Sequence, residues 1–529
     1  MSHNQQPAPN GFEAGVQPPK INNFEIIGTD ELDKPQDECG VFGILAYDRE
    51  VGAIAWRAGI AQEHRGLSGS GIAYYDHFTD SMCIEKGVGD MHQAIPHMEP
   101  GLVQTPPDQV FSHLAIVHNR YSTAGNKEGN SGTQPAQSQD VTLAHNGHMD
   151  MGSLERLARN CGVDPSEAPT DSHLLARIIG KHVSFTNNIQ QTLTEILPHV
   201  RGAFCLSIAY KDTLIGVRDN HGVHPLSVGR IASGGGVIAS ETVALQPAIV
   251  GDLEWTREVQ PGEMVFISRN DVESARFTNE PTVQKHCLFE SIYTADETSE
   301  IWGTDVRLSR FNMGKKLAEV APVMADLVIG VPNSGIPAGK GYAETAEIPY
   351  SQAIRKSDDP TVKRTFILGP AERAAMLRKK FIIDEAVIRG KRLVVTDDSM
   401  IKGNSMRALT ERLWEAGALE VHLRFAAPRF ESICNLGIDA AKLEELIAQP
   451  GKMDTTIAAE LGVSSVAFNS FENVEAAINE ARLDPRTPSL IGKFCRACTM
   501  GEYHDTVPLE IQIARQRQTG HRVLALTAV

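Results

Sequence analysis

Short apolar runs separated by turn residues dominate the chain from Cys39 to about residue 275. The runs are rich in β-branched and aromatic residues and end in Gly, Asn or Asp, which is typical of strands bounded by turns. They are VFGILAY, GSGIAYYD, AIVHNRYS, VTLAHNG, AFCLSIAY and GVIASET. Helical spacing interrupts them near residues 51–65 and 171–181. Many strands with few helices predict a layered α+β domain.

The pattern changes after about residue 285, where wholly apolar strands alternate with helical stretches. The predicted strands are DLVIGVP, IPYSQAI, KRLVVTDDS and EVHLRFAAP, and a helix is predicted from Ser405 to Ala416. Buried strands that alternate with helices indicate a parallel sheet with βαβ crossovers, so this half is predicted to be an α/β domain. The tail adds a helical stretch near 440–449 and a compact segment, KFCRACTMGEYHD.

Length and composition limit the class of protein. A chain of 529 residues is too long for one ordinary core, so at least two domains are expected. The formal net charge of −16 argues against a general nucleic-acid binder, although local amides and cations can still hold a phosphate. The sequence contains no run of about 18 apolar residues, so no membrane span is predicted. The opening residues lack the features of a signal peptide, so a cytoplasmic location is expected.

Shifts in composition divide the chain into four predicted parts. Residues 1–38 are rich in Pro, Gly, Gln and Asn and are predicted to be a disordered leader. The β-rich domain is predicted to span 39–275 and the α/β domain 285–470. A C-terminal segment then covers 471–529.

Four short motifs follow Cys39 in the first domain. They are HRGLSGSG (64–71), HNRYSTAG (118–125), LAHNG (143–147) and PTDSH (169–173). Each is weak alone, because Asn-Gly is a common turn and an arginine near a strand end is usually solvated. Cys39 taken alone is most simply a small buried residue at the start of a strand.

In this order and spacing, the motifs resemble the glutamine-hydrolysing domain of the amidotransferases with an N-terminal nucleophile (Ntn), a layered αββα fold. The resemblance implies that Cys39 is the nucleophile and that its own α-amino group is the base. That amine has a reference pKa of about 7.7–8.0, close to working pH. Because an amine inside a peptide bond lacks this basicity, removal of the leader by cleavage between Glu38 and Cys39 is predicted.

The same resemblance assigns roles to four further residues. Asn146 and Gly147 would donate hydrogen bonds to the oxyanion of the tetrahedral intermediate. Arg120 would bind the α-carboxylate of glutamine as a fork, and Asp171 would bind its α-ammonium group.

The stretch LVVTDDSMIKGNS (393–405) suggests a second site in the α/β domain. A strand there delivers a small-residue loop and a helix start to the carboxyl edge of a parallel sheet, where backbone amides can face a phosphate. Asp397 and Asp398 then lie where they can hold ribose hydroxyls and a hydrated Mg²⁺. The alternative is an ordinary acidic turn at a strand end.

This stretch resembles the substrate loop of the phosphoribosyltransferases, and GVPNSGIPAGKGYAE (330–344) resembles their pyrophosphate loop. RTFI (364–367) matches the end of their flexible loop. The resemblance implies a magnesium site formed by Asp397, Asp398 and Ser334. It also implies substrate contacts from Lys356, Arg364, Lys402 and Gly403.

Together the two halves resemble the amidophosphoribosyltransferases over nearly the whole chain after Cys39. The implied reaction hydrolyses glutamine at Cys39 and passes the ammonia internally to 5-phosphoribosyl 1-pyrophosphate (PRPP). Ammonia displaces pyrophosphate from C1 and gives 5-phosphoribosylamine, the first committed step of purine synthesis. The family further implies one Mg²⁺ per chain, inhibition by purine nucleotides and a homotetramer.

Two other interpretations remain open at this point. One is a relative that acts on a modified sugar phosphate, suggested by departures from the family pattern at 333, 355–363 and 402–405. The other is a regulatory protein that binds PRPP without transferring ammonia.

Eight cysteines are too few for a disulfide scaffold. Three are most simply core residues, namely Cys83, Cys161 and Cys205. The CxxC pair in FCRACTMGEY suits a redox pair, a zinc site or chance. One branch of the family carries a [4Fe-4S] cluster, which implies one cluster per chain held by Cys287, Cys434, Cys495 and Cys498. Zinc is the physical rival, because four thiolates suit it equally.

Overall fold

The structure is a computed structural model of the chain. It describes residues 39–98, 112–120, 132–357, 378–434, 436–437 and 443–503.

Thirteen strands build the first domain. They are β1 (Gly40–Leu45), β2 (Gly69–Asp76), β3 (Ser81–Val88), β4 (Leu114–Arg120), β5 (Ala136–Ser138), β6 (Val141–Met149), β7 (Gly202–Tyr210), β8 (Thr213–Arg218), β9 (Ser227–Ile231), β10 (Gly236–Ala239), β11 (Leu253–Glu258), β12 (Glu263–Ile267) and β13 (Val272–Arg276). One antiparallel sheet has the order β11-β9-β10-β1-β4-β2-β3, and the other has the order β13-β12-β8-β7-β6-β5.

Helices cover the outer faces of these two sheets. They are α1 (Gly52–Ala61), α2 (Met91–Ala94), α3 (Met151–Asn160), α4 (Asp171–Thr186), α5 (Ile189–Ile196) and α6 (Pro247–Val250). One buried apolar cluster lies between the sheets, a second packs α1 on the first sheet, and a third packs α3, α4 and α5 on the second. The αββα architecture predicted for this domain is therefore confirmed.

The second domain contains a parallel sheet of order β16-β19-β20-β21. Its four strands are β16 (Leu327–Gly330), β19 (Arg392–Asp397), β20 (Glu420–Phe425) and β21 (Ser465–Phe468). Two short hairpins pair β14 (Glu300–Ile301) with β15 (Thr304–Asp305) and β17 (Ile354–Lys356) with β18 (Phe381–Ile383). The helices are α7 (Val306–Val320), α8 (Gly335–Ala346), α9 (Glu385–Ile388), α10 (Asn404–Glu415), α11 (Asp454–Leu461), α12 (Phe471–Glu480) and α13 (Ala497–Met500). The predicted α/β class is confirmed.

Two local predictions differ from the structure. The stretch IPYSQAI does not form a strand of the parallel sheet: it makes a single bridge between Tyr350 and Val328 before β17 begins. Pro349 has no N–H to donate to a ladder, which limits pairing at that point. Of the predicted helix near 440–449, the described residues contain only a 3₁₀ turn at Leu443–Glu445.

A further core joins the two domains. It includes Phe289 and Phe430, whose ring centroids lie 4.6 Å apart, together with residues from the C-terminal segment. A parallel bridge between His286 and Phe494 brings that segment back against the domain junction. Just beyond His286, the chain makes a π-helical turn at Glu290–Thr294.

Candidate functional site

Sheet pairing brings the four motifs of the first domain to Cys39. Cys39 directly precedes β1, and Gly40 pairs with Asn119, the residue before Arg120 at the end of β4. A cavity of about 160 Å³ is lined by Cys39, Arg120, Gly147 and Asp171. These residues come from four separate elements, so the cavity exists only in the folded chain.

The side chain of Asn146 is fully buried beside the cavity. Neither its Oδ1 nor its Nδ2 atom has a hydrogen-bond partner within the described part of the chain. A buried amide without partners is costly, because it loses its contacts with water and gains none in return. Asn146 therefore has an unused donor of the kind that an oxyanion hole requires.

The backbone at Gly147 adopts a conformation that favours glycine, with φ at +128°. A Cβ atom built there would lie 2.2 Å from the carbonyl oxygen of Ala203 in β7. The close approach of β6 to β7 therefore requires a glycine at the cavity wall.

Asp171 and Arg120 supply opposite charges to the same cavity. Asp171 begins α4, and its carboxylate accepts hydrogen bonds from the backbone N–H groups of Met149 (3.1 Å) and Ser172 (2.7 Å). A carboxylate in the first turn of a helix is also favoured by the helix dipole. Arg120 is buried, and its guanidinium packs against Gly132. An ammonium and a carboxylate on one small ligand match this pair of charges.

Sequence reasoning missed two histidines beside the cavity. His145 is buried with its Nδ1 atom 3.1 Å from Ser172 Oγ, and burial lowers its pKa. Burial lowers the pKa of His118 to about 3. Both residues stand inside quoted motifs, but their burial depends on sheet packing that the motifs do not reveal. The neutral ring of His145 lines the cavity without adding positive charge, and His118 contacts His145, with its Nε2 atom 3.1 Å from the His145 carbonyl oxygen.

Sequence reasoning also missed the role of Arg65, which lies in the first motif. Its Nε atom donates to the carbonyl oxygen of Cys39 at 3.1 Å. Its two other nitrogens bind the carboxylates of Glu241 and Glu290. The arginine of this motif therefore contacts the candidate nucleophile directly, through the backbone carbonyl of Cys39.

The second candidate site lies at the carboxyl edge of the parallel sheet. Asp397 ends β19, and the backbone N–H of Asp398 donates to the Asp397 carboxylate at 2.9 Å. The hydroxyl of Ser334 donates to the carboxylate of Asp398, as does that of Ser399 at 2.7 Å. Neighbouring strands β16 and β19 end together, so the predicted pyrophosphate and substrate loops are adjacent. These oxygen donors are the type that Mg²⁺ prefers.

The other predicted substrate contacts are distributed around this edge. Gly403 has φ at +84° and directly precedes α10. The ammonium of Lys402 pairs with Glu445 at 2.8 Å. Lys356 is exposed at the end of β17, and Arg364 and the RTFI stretch lie outside the described residues.

The four predicted cluster cysteines converge at the domain junction, and none forms a disulfide. Cys287 and Cys498 are buried in the core that joins the domains, with Cys434 and Cys495 packed against it. The backbone N–H of Cys495 donates to His286 O at 2.8 Å, one residue from Cys287. Ser432, two residues before Cys434, donates to Cys498 O at 3.0 Å. Thus three distant segments present thiols to one region.

Burial dominates the electrostatic environment of these thiols. Burial raises the pKa of Cys495 to about 12 and that of Cys498 well above its ordinary value, and the nearby Cys434 raises both further. Thiolates here require a compensating positive charge. Within the described ranges, no three His, Cys, Asp or Glu side chains are grouped closely enough to hold a single ion.

None of the helices in the described ranges combines the length and the apolar character that a membrane span needs.

Comparison with known proteins identifies the family. A model described as a glutamine amidotransferase domain matches residues 118–247. The amidophosphoribosyltransferase of Mycobacterium tuberculosis (strain ATCC 25618 / H37Rv) is 37% identical over 501 residues, covering 92% of this chain and 90% of that protein. That of Synechococcus elongatus is 34% identical and covers 92% of this chain and 95% of that protein.

Two solved structures support the same family assignment. Glutamine PRPP amidotransferase from B. subtilis, complexed with ADP and GMP, has a TM-score of 0.75 and 32% identity, covering 89% of this chain and 99% of that one. A structure described as the allosteric regulatory enzyme of purine biosynthesis has a TM-score of 0.76 and 33% identity, covering 90% and 99%. The chain therefore belongs to the amidophosphoribosyltransferase family, the enzymes of the glutamine-dependent PRPP amidotransfer step of purine biosynthesis.

Proposed function

We propose that this chain transfers ammonia from glutamine to C1 of PRPP, with Cys39 as the nucleophile of the first half-reaction. The observation that carries the proposal is the cavity in which Cys39 meets Arg120 and Asp171, beside the unpartnered amide of Asn146. Its polar groups match the α-carboxylate, the α-ammonium and the developing oxyanion of glutamine. Family membership supports the same assignment.

In the first half-reaction, the thiol of Cys39 attacks the amide carbon of the glutamine side chain and passes its proton to the α-amino group of the same residue. Asn146 and Gly147 stabilise the oxyanion of the tetrahedral intermediate. Collapse of that intermediate forms a thioester and releases ammonia, with the proton returning to the leaving nitrogen. Water then hydrolyses the thioester to glutamate and the free thiol.

In the second half-reaction, ammonia attacks C1 of the ribose, and the bond from C1 to pyrophosphate breaks. Asp397 and Asp398 hold the ribose hydroxyls and, with Ser334, a magnesium ion. Bound Mg²⁺ would neutralise the charge that develops on the leaving pyrophosphate. Lys402 and Gly403 bind the phosphate at the start of α10. The family resemblance also assigns substrate contacts to Lys356 and to Arg364, which lies outside the described residues.

We further propose that Cys287, Cys434, Cys495 and Cys498 hold a structural [4Fe-4S] cluster. Four thiols from three distant segments, which meet at the domain junction, support this ligand set. A single zinc ion with Zn–S bonds of about 2.3 Å requires sulfurs only about 3.8 Å apart. Among the described residues these thiols are not grouped closely enough for a single ion, so we favour a four-iron cluster, which the four thiolates would hold.

Regulation, assembly and location complete the proposal. The related B. subtilis structure contains ADP and GMP, which supports purine nucleotides as inhibitors of this chain. A homotetramer and a cytoplasmic location remain predictions from the family and the sequence.

A coupled assay with a Cys39→Ala variant tests the function. The wild-type enzyme should release pyrophosphate from PRPP with either glutamine or ammonia. Cys39→Ala should lose the glutamine-dependent reaction and keep the ammonia-dependent one, because only the first site needs the thiol. Intact-mass analysis of the active enzyme should give a chain that begins at Cys39. An active enzyme that retains residues 1–38 contradicts the proposed base, and glutaminase activity without pyrophosphate release contradicts the proposed transfer.

A further inference from the structure

A buried ion network surrounds Arg65 at the boundary between the two domains. The side chains of Arg65, Glu241 and Glu290 are fully buried. Arg65 donates to Glu290 through two nitrogens, at 2.8 and 3.0 Å, and to Glu241 at 2.5 Å. The Glu290 carboxylate also lies 3.1 Å from Nδ1 of His224. Such a network is rigid, because each buried charge depends on its partners.

Arg65 connects this network to the nucleophile. Its Nε atom donates to the carbonyl of Cys39, the residue that carries both the thiol and the proposed base. A guanidinium is planar, so fixing two of its nitrogens on Glu290 also fixes the direction of the third. The orientation of the Cys39 backbone therefore depends on Glu290, which lies outside the glutamine cavity.

The turn that carries Glu290 is held by the second domain. Arg310 of α7 is buried and donates to the carbonyl of Ser291 within the turn (2.9 Å) and to that of Ala295 directly after it (2.7 Å). On the other side, Glu241 accepts hydrogen bonds from the Asp296 N–H (2.7 Å) and the Ser299 hydroxyl (2.9 Å). Groups from both domains thus fix one short segment.

The helix that carries Arg310 also packs against an element of the phosphoribosyl site. A Cβ atom built at Gly314 of α7 would lie 1.9 Å from a backbone oxygen of α8. A Cβ atom built at Gly335, the first residue of α8, would lie 2.9 Å from the Cα atom of Asp397. Thus α7 lies against the helix that begins beside Asp397. Burial lowers the pKa of Arg310, and the carboxylate of Asp398 acts in the opposite direction.

We propose that Glu290 and Arg310 are positioning residues that join the two reaction sites. Glu290 orients Cys39 through Arg65, and Arg310 holds the Glu290 turn in register with the loop that carries Asp398. The inference rests on the proposed function and adds a physical route by which occupancy of the PRPP site alters glutamine hydrolysis. Neither residue lines the described glutamine cavity.

The first test is the variant Glu290→Gln, which keeps the side-chain shape and removes the charge. We expect kcat for glutamine hydrolysis to fall about tenfold, which corresponds to about 1.4 kcal/mol. KM for glutamine should change less than about twofold, because its charged contacts stay in place. Ammonia-dependent synthesis reports whether the second domain remains folded. Arg65→Lys keeps the charge but loses the fork and should show the same division between kcat and KM.

The second test is the ratio of glutamine hydrolysis with and without PRPP. Wild-type enzyme should show a ratio of about fivefold or more, within the usual range of coupling between sites. Arg310→Lys keeps the charge but cannot reach both carbonyls, so its ratio should fall towards one. The control is Arg307→Gln on the same helix, where the arginine forms only an exposed pair with Glu297 at 3.2 Å. The control should keep the wild-type ratio.

The outcomes separate this inference from the proposed function. If wild-type enzyme releases no pyrophosphate with glutamine, the function itself is wrong. If wild-type enzyme is active but Arg310→Lys keeps its ratio, the coupling role of Arg310 is wrong. If Glu290→Gln and Arg65→Lys both fold and keep wild-type kcat, the positioning role of Glu290 is wrong. If these two variants lose glutamine hydrolysis and ammonia-dependent synthesis to the same extent, the loss reflects general destabilisation, and the positioning role of Glu290 is again wrong.

Discussion

Gly147→Ala is the sharpest single test of the glutamine site. The added Cβ would lie 2.2 Å from the carbonyl oxygen of Ala203 and 2.8 Å from its carbonyl carbon. Contacts under 3.0 Å are essentially never adopted, so β6 and β7 must separate by about 0.8 Å at this point. Alanine is also strained at φ of +128°, at a cost of about 1–3 kcal/mol.

This separation displaces the backbone N–H of Gly147, a proposed oxyanion donor, and should therefore slow glutamine hydrolysis. Loss of one such donor lowers kcat by about 10²–10³, or about 2.7–4 kcal/mol of transition-state stabilisation. A misplacement of about 1 Å has a similar effect, about 10². We therefore expect kcat for glutamine hydrolysis to fall at least about 100-fold in Gly147→Ala. Ammonia-dependent synthesis should remain, because the second site lies in another domain.

Gly162→Ala is the matched control. Gly162 also has a positive φ, +68°, but a Cβ there meets nothing within 4 Å. It should lose about 1–3 kcal/mol of stability from backbone strain while kcat for glutamine hydrolysis stays within about twofold. The assay is glutamate release at saturating glutamine, with thermal unfolding measured in parallel. A folded Gly147→Ala enzyme with kcat within threefold of wild type would refute the reasoning.

Three further predictions concern the second site, the buried histidines and the cysteines. Asp398→Asn should raise KM for PRPP at least about tenfold, because the magnesium–ribose contact loses its charge; unchanged pyrophosphate release at limiting PRPP contradicts this. The pKa of His118 is lowered to about 3 in the folded chain, so on acidification the unfolded chain binds this proton first. The free energy of unfolding should therefore fall by about 1.4 kcal/mol per pH unit between about pH 6.5 and pH 3. His118→Gln should flatten that slope by the same amount in urea titrations. Anaerobically purified enzyme should be brown, with about four irons and four sulfides per chain. Cys434→Ser should lose the colour while the control Cys161→Ser keeps it, and stoichiometric zinc in a colourless active enzyme excludes the cluster.

Local sequence signals were sufficient to predict the elements that surround the glutamine site. Strands β1, β4 and β6 each coincide with an apolar run that ends in a turn or a polar motif. Helix α4 begins at Asp171, where the sequence shows helical spacing. These signals depend on neighbours in the chain, which a sequence displays directly. The alternation of strands and helices in the second half of the chain could likewise be predicted from short stretches of sequence.

Contacts between distant residues were not predictable in this way. Arg65 binds carboxylates 176 and 225 positions away, at Glu241 and Glu290. Neither glutamate stands in a motif, and a buried ion pair has no local pattern, because its partners are chosen by the packing of two domains. The same reason explains why the unpartnered amide of Asn146 became visible only in the folded chain.

The return of the C-terminal segment to the domain junction has a consequence for biosynthesis. Cys287 is synthesised 208 residues before Cys495, whose backbone N–H donates to the carbonyl of the neighbouring His286. At about 5–20 residues per second, this interval is about 10–40 s on the ribosome. During that time the nascent junction lacks the C-terminal segment that packs with Cys287 in the shared core. Complete packing of this region must therefore follow synthesis of the C-terminal segment, and a nascent chain stalled before residue 495 would present an uncovered apolar surface to chaperones.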